Sequence, residues 1–122
     1  PRRIALTPDD AVWYTDFPRG YLGRYDPKTG ETQEWASPGG AQSRPYGIAT
    51  VDNVIWYSES GVKPNTLVRF DSATNEFQTW AIPSGGGVIR NMMATAEGNL
   101  VMACSARNRV ALVEVGGSAG TR

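Results

Sequence analysis

The chain has 122 residues, an ordinary length for one domain, and its 12 basic and 12 acidic residues cancel. Arg2-Arg3 is the only adjacent basic pair, so no footprint for nucleic acid is present, and no apolar run approaches the roughly 20 residues of a membrane span. Histidine is absent, which excludes Ser-His-Asp, Cys-His and histidine–metal chemistry within this chain, and the single Cys104 cannot form an internal disulfide. Nothing resembles a signal peptide. A removed leader leaves no trace, so a soluble protein of the cytoplasm and one exported after leader removal both remain open.

In chain order the sequence reads as short strands that repeat. Ile4–Leu6, Ala11–Asp16, Tyr21–Asp26 and Thr32–Ala36 form a first copy. Tyr46–Thr50, Val54–Glu59, Thr66–Asp71 and Phe77–Ile82 form a second, and Met92–Thr95, Asn99–Cys104 and Arg109–Val115 a third that lacks its last strand. Ile4 returns at Ile48, Trp13 at Trp56, Leu22 at Leu67 and Trp35 at Trp80, offsets of 44, 43, 45 and 45 residues. A repeat of roughly 40–50 residues built from short strands predicts an all-β protein made of β-propeller blades, each a four-stranded antiparallel meander. The blades are expected at residues 4–38, 46–83 and 91–115, with 116–122 a flexible Gly-rich tail.

The turns carry their own chemistry. Asp26-Pro27-Lys28-Thr29-Gly30 sets Gly30 in the left-handed position that closes a hairpin, and Asn75 holds the same place in the second copy. Asp9-Asp10, Asp52-Asn53 and Glu97-Gly98-Asn99 turn the first strand of each blade into the second. Trp13, Trp35, Trp56 and Trp80 are expected to pack between neighbouring blades, and Cys104 to sit buried as a small apolar residue. Gly85-Gly86-Gly87 lacks the Lys-Ser/Thr ending of a phosphate loop and reads as a connection passing near the channel.

About two and three-quarter blades do not close a ring of ~4–8, so either more chain or further copies, as a homo-oligomer, must complete it. In a meander, the start of the first strand and the end of the second lie at one end of the blade. Arg44, Tyr46 and Glu59 then share a rim around the channel with Arg2, Arg3 and Asp16 of the first blade and Arg90, Asn91 and Ser105 of the third. Arginines, carboxylates and hydrogen-bonding groups on one rim suit a small polar or anionic ligand. On this reading Glu59→Gln changes binding with little effect on stability.

These blades resemble those of the virginiamycin B lyase (streptogramin lyase) family. Pro45-Tyr46-Gly47-Ile48-Ala49 leading to Trp56-Tyr57-Ser58-Glu59, and Leu22-Gly23-Arg24-Tyr25-Asp26-Pro27-Lys28-Thr29-Gly30-Glu31, carry the likeness, which runs from Ile4 to Val115. The resemblance implies a carbon–oxygen lyase that opens a cyclic depsipeptide lactone by elimination, with magnesium assisting. It implies a histidine base just before the first strand of a blade and a glutamate at the end of the second. Glu59 matches that glutamate and is the candidate catalytic residue. Tyr46 stands where the histidine would be; in the third blade Asn91 takes that place, with Ser105 near the glutamate's.

Three readings follow. The chain is part of a lyase-like propeller whose histidine lies elsewhere, a binding or scaffold propeller without chemistry, or a calcium-dependent sugar-lactonase-type hydrolase drawing on Glu59, Asn91 and Asp16.

Overall fold

A computed structural model describes residues 1–83, 87–105 and 109–115. Eleven strands are present among them: β1 (Arg3–Leu6), β2 (Val12–Asp16), β3 (Tyr21–Tyr25), β4 (Thr32–Ala36), β5 (Pro45–Val51), β6 (Val54–Glu59), β7 (Thr66–Asp71), β8 (Glu76–Ala81), β9 (Val88–Ala94), β10 (Leu100–Ser105) and β11 (Arg109–Val113). They form three antiparallel meanders in the orders β1-β2-β3-β4, β5-β6-β7-β8 and β9-β10-β11. Among the described residues no helix is long and apolar enough to cross a membrane.

The turns close as their residues dictate. Gly30 has φ 76° and Asn75 φ 58°, while Asp10 and Asp52 take φ 66° and 53° in the turns after β1 and β5. The sheet boundaries differ from the sequence expectation chiefly in the third blade. Its first strand begins at Val88, because a register shift between Met102 and Cys104 lets Ile89 and Val88 extend the ladder past Met92. The tail at 116–122 and Gly85-Gly86 lie outside the described residues.

The blades stand side by side with β5 packed between β1 and β9. Alternation sends one face of each sheet to each neighbour. Trp13 stacks on Trp35 at 5.6 Å, and both rings meet Phe70 of the next blade, at 5.8 and 4.9 Å. Trp56 stacks on Trp80 at 5.7 Å and joins Leu67, Ile89, Met92, Leu100, Met102 and Cys104 in the core between blades two and three. The buried indole of Trp13 donates to Thr7 Oγ1 at 3.0 Å, and Thr7 donates in turn to Asp9 at 2.5 Å, so the first turn also satisfies the core ring.

Hydroxyls at matching places in the repeat tie blade to blade. Thr15 at the end of β2 donates to the Tyr46 carbonyl at 2.8 Å, and Ser58 at the matching place in β6 donates to the Ile89 carbonyl at 3.1 Å. Both acceptors lie where the receiving strand is bulged. Gly47 lets these strands approach, since a Cβ there would meet the Ile89 carbonyl oxygen at 2.9 Å. Blade one turns Ile4 and Leu6 to solvent on its far side, and blade three does the same with Val110 and Leu112.

Trp56 is 4% exposed between two blades. Trp56→Ala should therefore cost about 3–5 kcal/mol in a two-state denaturant titration. A loss below about 1 kcal/mol would remove it from the core that joins the blades.

Candidate functional site

Glu59 ends β6 opposite Pro45 and is 1% exposed. Its carboxylate accepts from Ser37 Oγ at 2.5 Å, the Gly39 amide at 2.7 Å and Thr66 Oγ1 at 2.6 Å. Ser37 also bonds the Tyr57 hydroxyl at 2.8 Å. Glu59 thus fastens the connection from blade one to the strands of blade two. A Cβ at Gly39 would come within 2.8 Å of that carboxylate, which is why this bend carries a glycine. The geometry corrects the expectation of a free acid on the rim: Glu59 makes no ion pair with Arg44 among the described residues. Its lone pairs are engaged by fixed donors.

Asp16, at the matching place in blade one, is also committed. Arg19 donates to it through Nε at 2.7 Å and through its backbone amide at 3.2 Å. Burial pushes the Asp16 pKa up, but the bonds from Arg19 outweigh it and leave the carboxyl below its ordinary value. Asn91 is exposed on β9. The ladder sets Ile89 opposite Cys104 as Pro45 is opposite Glu59, so Arg90, not Asn91, stands at the position of Tyr46. By the same register Cys104 replaces Ser105 as the counterpart of Glu59. The sequence placed both one residue late because it began the strand at Met92 and missed the bulge.

The other rim residues do meet. Tyr46 is 7% exposed at the start of β5 and packs edge-on against Phe17 at 5.3 Å. The Arg2 guanidinium lies 4.2 Å from the Phe17 ring centre and 5.2 Å from that of Tyr46. Arg3 lies 5.2 Å from Tyr46, and Arg44 5.3 Å from Phe17. Arg3 Nε donates to the Arg90 carbonyl at 3.1 Å. The Arg2 guanidinium beside the Tyr46 hydroxyl holds its pKa below that of an ordinary tyrosine; burial opposes this, and Arg3 and Arg90 add to it. Arg44 takes φ 52°, with its carbonyl receiving the Ser60 amide at 3.0 Å. Such a conformation is costly for a side chain with a Cβ. The hydroxyls of Ser43 and Ser60, on either side of that bond, are buried without a partner among the described residues.

Phe17 was not singled out from the sequence. Its signal was its place in the connection after β2, one of the segments that topology sends to the rim. As for a divalent ion, no group of three or more acidic or thiol side chains gathers among the described residues. Glu59 and Asp16 face protein donors, and these residues do not fit a magnesium or calcium site.

Three adjoining antiparallel meanders, two of four strands and one of three among the described residues, with their first strands turned inward, define blades of a β-propeller. The chain is similar in fold to solved virginiamycin B lyase structures. One is a catalytically inactive histidine-to-alanine variant from Staphylococcus aureus with quinupristin, with TM-score 0.81 and 24% identity over 96% of this chain and 38% of that one. A streptogramin B lyase structure gives TM-score 0.76 and 22% identity over 89% of this chain and 35% of that one. Hydrazine synthase of Kuenenia stuttgartiensis gives TM-score 0.78 at 14% identity, over 95% of this chain and 33% of that one. The chain thus spans between a third and two-fifths of the proteins it matches, and at these identities the likeness is one of fold. No protein-family model matches the chain, and no curated protein sequence matches it.

Two consequences can be measured. Glu59→Gln puts an amide N–H against fixed donors, so it should cost about 1–3 kcal/mol of stability; an unchanged denaturation midpoint would return Glu59 to the rim. Burial raises the Tyr57 pKa well above that of the unfolded chain. The unfolded phenol then ionises first, so this contribution is whole below about pH 10 and is lost as pH rises further. Tyr57→Phe should flatten the alkaline fall in melting temperature; an equally steep fall would locate the effect elsewhere.

Proposed function

We propose that this chain is a section of a virginiamycin B lyase-like propeller that binds a small polar or cyclic-peptide lactone ligand at the channel rim. In this reading it carries no proton-abstracting base of its own. The observation behind it is the occupancy of the catalytic positions implied by the resemblance. Tyr46 stands in the histidine's place, Arg90 follows it in the next blade, and Glu59 is held by three donors.

Elimination at a lactone requires a base to take the proton α to a carbonyl while the ring carbon–oxygen bond breaks and the carboxylate leaves. An arginine cannot serve as that base near neutral pH, and an engaged glutamate is poorly placed to. The blade motif and the fold likeness support the lineage. The ring is completed by further chain or by further copies, and a base supplied there would act on a ligand held here.

Quinupristin incubated with the chain and magnesium, followed by liquid chromatography and mass spectrometry, tests the reading. The lactone should remain closed while binding saturably. A ring-opened product of unchanged mass would establish elimination and overturn the non-catalytic reading. A product that gains the mass of water, in the presence of calcium, would favour the lactonase-type hydrolase.

A further inference from the structure

We propose that Arg2, Arg3, Arg44 and Arg90 form a receptor for a small oxyanion, a phosphate or a polycarboxylate, at the channel face around Tyr46 and Phe17. The inference rests on local charge and does not depend on the lyase lineage.

The protein as a whole is neutral, with 12 basic and 12 acidic residues, so a local excess of one sign has to be constructed. Here it is constructed by removing the acids. The rim carboxylates that topology supplies are Asp16 and Glu59. Asp16 is bonded to Arg19, and Glu59 is enclosed by Ser37, Gly39 and Thr66. Among the described residues the ion pairs are made by Arg19, Arg24 and Arg69, and Arg2, Arg3, Arg44 and Arg90 enter none of them. Three guanidiniums, of Arg2, Arg3 and Arg44, gather on the two rings, with Arg90 beside the Tyr46 hydroxyl, and among the described residues none has an ion-pair partner.

Their positions are fixed by something other than an acid. Arg2 and Arg44 share the Phe17 ring at 4.2 and 5.3 Å, and Arg2 and Arg3 share Tyr46 at 5.2 Å each. Cation–π contact holds a guanidinium by its face and leaves the edge, where its N–H donors lie, open to an oxyanion. Arg3 spends Nε on the Arg90 carbonyl and another N–H on the Arg2 carbonyl at 3.3 Å, which draws the first and third blades together at this spot. Arg44 is presented from a left-handed backbone position held by the Ser60 amide, a conformation a solvated loop residue would relax. Like charges gathered in this way repel, and an anion with several oxygens relieves the repulsion while taking bidentate bonds. Arg2, Arg44 and Arg90 are exposed, so the donors are reachable from solution.

Isothermal titration of the chain with sodium phosphate, and separately with citrate, at low ionic strength tests this. Saturable binding of either anion is expected, and the stronger of the two names the source chemistry. Affinity should fall about ten-fold in Arg2→Gln and in Arg44→Gln and stay unchanged in Arg69→Gln, whose side chain sits in an ion pair on blade two. Bound anion should also raise the pH at which Tyr46 ionises, read by ultraviolet difference absorption and absent in Tyr46→Phe. Melting temperatures of the Gln variants at high salt show that folding is intact. Failure of both anions to saturate, or equal binding by the Arg2, Arg44 and Arg69 variants, overturns the receptor.

Discussion

The arrangement depends on a hydroxyl reaching from one sheet to a carbonyl of the next. A blade alone is a meander of four strands with two apolar faces, and it must be covered on both sides. Aromatic rings and aliphatic side chains together supply the covering, but apolar contact is indifferent to small rotations. The bonds from Thr15 to Tyr46 and from Ser58 to Ile89 are directional, and each is buried. They fix how far a blade is rotated against its neighbour and thereby where the starts of the inner strands lie. The rim cluster exists because Arg2, just before β1, Tyr46 of β5 and Arg90 of β9 are held in step.

Polar groups in this protein divide between two tasks. Acids are drawn into the scaffold: Glu59 closes the connection between blades and Asp16 closes its own turn through Arg19. Arg2, Arg3 and Arg44 are left on the channel face, steadied by aromatic rings. One strand position can therefore serve opposite ends in different propellers. A carboxylate there is a reagent when its donors are few and a fastening when they are many.

The blade architecture was readable because a repeat writes each feature more than once. Trp13 and Trp56, or Gly30 and Asn75, predicted one another's roles and conformations, and the structure agrees on all four. The chemistry of individual positions was less legible. Glu59 looked like a rim acid because its strand ends there. The donors that enclose it come from residues 22 and 20 positions earlier and 7 later, and no local pattern reveals a side chain's direction across that distance. Asn91 and Ser105 were misplaced for a different reason. A bulge adds a residue without changing the hydrophobic alternation on either side, so the register of β9 could not be counted from sequence.

The hydroxyl that joins the blades has a genetic corollary. Donor and receiving strand recur at the same phase of the repeat, so a tandem copy of one blade's coding segment arrives with both halves of its own joint. Length can then change in whole units without redesigning an interface, while a partial unit leaves a joint half made. Selection acting on such a gene would count in blades.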